Sequence, residues 1–175
     1  MIKYAITDPK YFTLKSIKSI SRNANMILFR DKITTNYPQK ALKFIKEAQK
    51  YSFDKILLHR DIELANRLNI NNIHLTSTQI DDISKAKKLN MFIIVSTHSK
   101  EEALKAQKLG ANMITFSPIF DTPNKGKSIG LAPLKELKNI IDIPIIALGG
   151  ITTPKHIELI KEAKVDGFAS IRYFI

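Results

Sequence analysis

The chain has 175 residues, 44% of them hydrophobic, a formal net charge of +12 and no cysteine. Residues 1–175 therefore read as one domain with a sizeable core, and no apolar run approaches the roughly 18 residues of a membrane helix. The missing cysteine excludes a disulfide framework and thiolate chemistry, and the N-terminus MIKYAITDPK has no signal-like apolar stretch, so a cytoplasmic protein is expected.

Short apolar runs recur about every 20 residues, each followed by a helical pattern. IKYAIT opens the chain, and LKSIKSISR is a weak helix candidate after it. MILFR is followed by KALKFIKEAQKY, KILLH by DIELANRL, and NIHL by DDISKAKKL. MFIIVST precedes KEEALKAQKLG, MITFSPI leads through a polar loop to LAPLKELKNI, PIIALGG precedes TPKHIELIKEA, and GFASI is the eighth run. Strands alternating with helices imply a parallel α/β sheet, and eight such units favour a closed (β/α)8 TIM barrel. No GxGxxG follows the first strand, against a dinucleotide-binding fold.

Local signals support the helix boundaries. Ser99 and Glu102 have capping-box spacing, Thr153-Pro154 pairs a cap residue with a first-turn proline, and Gly110 suits a helix stop. After GFASI only Arg172 to Ile175 remain, and a full helix would need roughly ten more residues. The eighth helix is therefore expected to be short or missing. The apolar tail Tyr173-Phe174-Ile175 can pack on its own barrel or meet a second copy, which makes a homo-oligomer an expectation.

In such a barrel the site lies at the C-terminal ends of the strands. That rule nominates Arg30 and Lys32, His59 and Arg60, Ser96, Thr122, Asn124, Lys125 and Lys127, and Gly149-Gly150. Arg30 and Lys32 are two apart and can both face the mouth, where a guanidinium beside an ammonium suits phosphate or pyrophosphate. The Gly149-Gly150 turn before a helix start is a phosphate-cup arrangement. His74 and His98 adjoin apolar strands and read as structural, whereas His59 reads as more exposed. No Ser-His-Asp set and no spaced metal-ligand cluster is present. The positive charge suits anionic partners, but the lysines are dispersed through KAKK, KSIK and KELK. A small phosphorylated ligand fits this better than nucleic acid or a membrane.

The stretches YAITD, FRDK, IHL, VSTHSKEEALKAQKLGANMITFSPIFDTPNKGK and PIIALGGIT together resemble the thiamine phosphate synthase/TenI family, over nearly the whole chain. The resemblance implies a (β/α)8 barrel joining a hydroxymethylpyrimidine pyrophosphate to a thiazole phosphate, with pyrophosphate released. It implies that Arg30, Lys32 and Lys125 grip the pyrophosphate with help from Ser96. Thr122, Asn124 and Gly149-Gly150 would then hold the thiazole phosphate, under a lid formed by FSPIFDTPNKGK.

Three departures stand out against that pattern. The family's second strand usually reads Gln-x-Arg-x-Lys, and Leu28 takes the first position here. The usual Asn-Asp after the third strand is replaced by His59-Arg60, followed by Asp61, and a Gly-Gln-x-Asp stretch is replaced by Thr76-Ser77-Thr78-Gln79. The Mg²⁺ of the family thus loses its usual acids, no metal ligand is assigned, and Arg60 stands to supply part of the missing charge. The TenI-type tautomerases use a histidine where this chain has Pro118. A non-catalytic TenI-like binder or regulator of thiazole or thiamine phosphate is therefore the alternative to a divergent synthase.

Overall fold

Eight parallel strands close into a barrel in chain order, β1 to β8. The computed structural model describes residues 1–122 and 127–175. The strands are β1 Ile2–Ile6, β2 Met26–Phe29, β3 Lys55–His59, β4 Asn72–Leu75, β5 Phe92–Thr97, β6 Met113–Phe116, β7 Ile145–Leu148 and β8 Gly167–Ser170. The α-helices among the described residues are α1 Ile17–Ile20, α2 Tyr37–Ala48, α3 Ile62–Arg67, α4 Ile83–Lys88, α5 Lys100–Leu109, α6 Leu131–Lys138 and α7 Pro154–Glu162. The (β/α)8 expectation holds, with seven α-helices among the described residues and none of them after β8.

The strands read as continuous apolar runs because both of their faces are buried. One face looks into the barrel, where Tyr4, Met26, Leu28, Leu57, Ile94, Met113, Ile146 and Ala169 form an interior cluster. The other faces the helices, where Ile27, Leu58, Ile73, Ile93, Val95, Ile114, Ile145 and Phe168 join the larger outer core. This parity decides which strand-end residue points into the mouth.

Where an eighth helix would lie, the tail folds back on the barrel. Phe174 stacks on Phe168 at 5.6 Å, and the Tyr173 ring meets Phe168 edge-on at 5.4 Å. Gly167 begins β8 opposite Ile2, and a side chain there would run into the Ile2 carbonyl oxygen.

The helix boundaries follow their caps. Ser99 Oγ accepts from the Glu102 amide at 3.2 Å, and Gly110, with φ of 94°, ends α5 in the left-handed conformation. Glu102 Oε2 accepts from the His98 amide at 2.6 Å, one residue before the partner that a capping box would give it. Thr153 caps α7, with Pro154 in its first turn. The weak candidate LKSIKSISR yields only a 3₁₀ turn, Leu14–Ser16, and the single turn of α1, which buries Ile17 and Ile20. DDISKAKKL is likewise divided between a 3₁₀ segment, Ser77–Asp82, and α4.

Candidate functional site

A cavity of about 670 Å³ opens at the C-terminal ends of the strands. Its floor is apolar, from Ile6, Leu28, Leu148 and Ala169. Above the floor the walls are polar and cationic. Arg30, Lys32, Lys127 and Arg172 line it, and no aspartate or glutamate is among the described lining residues.

Arg30 follows β2 with the parity of Met26 and Leu28, which directs it inward. Its amide donates to Thr7 Oγ1 at 2.9 Å, and the Thr7 amide donates to the Leu28 carbonyl at 3.0 Å, so the ends of β1 and β2 are tied together. The guanidinium donates to Asp8 Oδ2 at 3.1 Å. This half-buried pair fixes the direction of the arginine. Lys32 lies beside it in the same cavity.

His59 is buried at 8% exposure, contrary to the expectation that it is the more exposed histidine. Parity explains this: Leu57 faces the barrel interior, so His59 does too. Burial, reinforced by His74 and by the cations Arg30, Lys32 and Arg60, pushes its pKa down to about 2. The Tyr37 hydroxyl steadies the strand end, accepting from the His59 amide at 3.3 Å and donating to the Phe29 carbonyl at 3.2 Å.

Arg60, one residue further on, turns the other way. It has φ of 71° and lies in a shallow depression with Asp61, Glu63, Gln79, Asp82 and Lys85, outside the mouth cavity. Its carbonyl accepts from Gln79 Nε2 at 3.1 Å.

His74 and Ser96 meet at the inner wall. Tyr4 Oη lies 2.8 Å from His74 Nδ1, and His74 Nε2 lies 2.8 Å from Ser96 Oγ. Burial, with Arg30 nearby, holds His74 down at about 3. His98 also lines the cavity, with Nδ1 donating to the Ser117 carbonyl at 2.9 Å. Both histidines that read as structural therefore border the mouth.

The opposite wall is made by backbone. Gly149 and Gly150 have φ of 102° and 69°, in the left-handed region. A Cβ on Gly149 would lie 2.7 Å from Pro118 Cα, and one on Gly150 would lie 2.7 Å from the Asp121 carbonyl oxygen. The turn is pressed against the strand-six loop, whose Phe120 amide donates to the Gly149 carbonyl at 3.1 Å. Thr152, at the mouth, donates its amide to His156 Nδ1 at 3.2 Å, and the His156 ring stacks on Phe120 at 4.4 Å. Ser170 Oγ donates to the Ile151 carbonyl at 2.6 Å, fastening the end of β8 to this turn. Thr122 lines the cavity and donates to the Phe120 carbonyl at 3.1 Å. Asn124 and Lys125 lie outside the described residues.

The nominated Arg30, Lys32, His59, Ser96, Thr122, Gly149 and Gly150 thus share one cavity, and Arg60 stands apart. Lys127 joins them, and the cavity also holds Arg172, which was not nominated, and His74 and His98, which read as structural. Parity alone would have passed over Arg172, which shares the outward parity of Phe168 and lies three positions after the inward-facing Ala169.

Mg²⁺ wants hard anionic oxygens converging on one point. The residues present do not fit it. Asp61 caps α3 by accepting from the Leu64 amide at 2.9 Å, and Asp81 pairs with Lys105 at 2.7 Å. Asp31 is engaged by the amides of Ile33 and Thr34 at 3.1 and 3.0 Å, and Asp8 holds Arg30. Among the described residues no group of three or more His, Cys, Asp or Glu side chains is placed to hold a metal ion. No helix among them is long and apolar enough to cross a membrane.

The architecture defines a (β/α)8 barrel with a cavity at the C-terminal ends of its strands. The family model described as thiamine monophosphate synthase matches residues 3–174, and the chain belongs to that family. It is 32% identical over 180 residues to the thiamine-phosphate synthase of Clostridium acetobutylicum, covering 96% of this chain and 84% of the relative. The thiamine-phosphate synthase of Lactococcus lactis subsp. cremoris is 31% identical over 169 residues, covering 91% of this chain and 77% of the relative. The solved thiamine phosphate pyrophosphorylase from Pyrococcus furiosus superposes with a TM-score of 0.85 at 25% identity, covering 97% of this chain and 85% of that structure.

Proposed function

We propose that the protein joins a hydroxymethylpyrimidine pyrophosphate to a thiazole phosphate and releases pyrophosphate, with cationic side chains in place of a metal at the leaving group. The observation that carries this reading is the cavity itself: Arg30 and Lys32 on one wall and the Gly149-Gly150 turn on the other, across about 670 Å³. That arrangement offers separate holds for two phosphorylated halves. In the reaction the thiazole nitrogen forms a C–N bond with the pyrimidine methylene as the C–O bond to pyrophosphate breaks. Negative charge grows on the departing oxygen, where fixed cations are most useful. Arg30 is aimed by Asp8, Lys32 is its neighbour, and Lys127 and Arg172 complete the ring of charge. Arginine can neutralise pyrophosphate through paired N–H donors.

A second reading, a binder of thiazole phosphate or thiamine phosphate without turnover, is favoured by one observation. Asp61, the carboxylate next to the substituted Asn-Asp positions, is committed to capping α3.

The test is to mix purified protein with the two substrates in Mg²⁺ and in EDTA and to measure thiamine phosphate. The synthase reading expects product in both. Product only with Mg²⁺ would overturn the metal-free leaving-group role. No product from folded protein, together with saturable thermal stabilisation by thiamine phosphate, would replace the enzyme with the binder.

A further inference from the structure

Inside the barrel a chain of three side chains rises from the sealed interior to the mouth. Tyr4 is fully buried in the interior cluster, His74 is 2% exposed, and Ser96 is half-buried and lines the cavity. They come from β1, β4 and β5, and the two links are both 2.8 Å. The Tyr4 and His74 rings are also stacked, 5.7 Å between centroids.

The direction of the protons in this chain follows from counting donors. A neutral imidazole has one N–H donor and one bare nitrogen. His74 is held neutral by burial and by Arg30. Among the described residues the Tyr4 hydroxyl has one partner, His74 Nδ1. If Nδ1 carried the proton, the phenolic O–H would be left buried with nothing to accept it, which is costly. The phenol therefore donates to Nδ1, and the proton of His74 is on Nε2, donating to Ser96 Oγ. The Ser96 hydroxyl, already accepting from the ring, must send its own proton elsewhere, and the open side is the cavity.

We infer that Tyr4 and His74 are positioning residues that lock Ser96 Oγ–H as a one-way donor into the mouth. This deepens the proposed function, on which it rests for the nature of the acceptor: an anionic oxygen of pyrophosphate or phosphate. The same polarity forbids the alternative chemistry of a Ser-His pair. His74 has no lone pair left for the serine proton, because Tyr4 occupies it, so Ser96 is not activated as a nucleophile.

The first test is the tautomer of His74, read by ¹⁵N NMR of the histidine side chains in the unmodified protein, with the signal assigned by its loss in His74→Gln. Nε2 protonated and Nδ1 bare is the expected result; a protonated Nδ1 overturns the inference. The second test is a double-mutant cycle on pyrophosphate binding, measured by calorimetry in EDTA. Ser96→Ala should weaken binding by about tenfold. Tyr4→Phe keeps the ring and removes only the donor, which lets Ser96 turn its proton back to His74. It should weaken binding by about threefold, less than the loss of the serine itself. In the Ser96→Ala background Tyr4→Phe should add nothing; losses that multiply would mean Tyr4 is structural only. The tautomer itself is read in the unmodified protein and needs no ligand. If Nε2–H is seen but the protein fails to bind pyrophosphate, the anion-binding reading falls while the proton lock stands.

Discussion

The two walls of the mouth are made of different material. From β2 to β5 the wall consists of side chains: Arg30, Lys32, His59, His74 and Ser96. From β7 to β8 it is a backbone turn, Gly149-Gly150, jammed against Pro118, Phe120 and Asp121. A side-chain wall can change its chemistry without disturbing the barrel, because only the strand-end tips differ. A backbone wall cannot, because its shape is fixed by left-handed φ values and by neighbours within van der Waals contact. The positions that depart from the resembled synthase pattern, Leu28, His59, Arg60 and Gln79, fall on the side-chain half of the barrel, while Pro118, which departs from the tautomerase pattern, abuts the turn.

The contrast is broken most directly at the glycine turn. Gly150→Ala puts a methyl group against the Asp121 carbonyl and the Phe120 backbone at positive φ, so it should cost about 3 kcal/mol in urea denaturation. A neutral effect would mean the turn relaxes freely and the wall is not rigid. Arg30→Ala, on the other wall, should leave the barrel folded and weaken pyrophosphate binding on the order of 10- to 100-fold in calorimetry. Unchanged affinity would remove Arg30 from the leaving-group site.

Acid should also act on the side-chain wall. His59 and His74 have folded pKa values pushed down to about 2 and about 3. Below the ordinary value near 6.5 the unfolded chain takes up protons that the folded chain refuses, so stability falls as the pH falls from there. At pH 5 each buried imidazole should cost about 2 kcal/mol relative to neutral pH. Comparing urea midpoints at pH 7 and 5 checks this, and a slope that persists in a His59→Asn, His74→Gln double variant would assign it to other groups. The smallest effect sharpens the metal question. Asp61→Ala should lose about 1 kcal/mol, as for any helix cap, and leave pyrophosphate affinity the same in Mg²⁺ and in EDTA. A Mg²⁺-dependent loss would make Asp61 a ligand after all.

The barrel was legible because strands buried on both faces have no polar residues to interrupt them, and caps such as Ser99 and Thr153 sit between the runs. The first helix was overread, since Ile17 and Ile20 give only a single buried turn. The placement of Arg30, Lys32 and Gly149-Gly150 around the cavity follows from their position at strand ends. His59 was misjudged because a polar residue closing an apolar run does not reveal which face it is on. Counting back to an interior residue, Leu57, does reveal it, and the same count sends Arg60 outside. The Tyr4–His74 link spans 70 positions, and no local pattern could report it.

The small residue at the start of β8 has a consequence for how the molecule is made. The seam that shuts the barrel joins residues 2–5 to residues 167–170, with Gly167 opposite Ile2. Until the ribosome has delivered β8, the sheet is open, with β1 at one raw edge able to pair with another chain. Closure thus cannot precede the synthesis of β8. It depends on a residue with no side chain to hold the two ends apart.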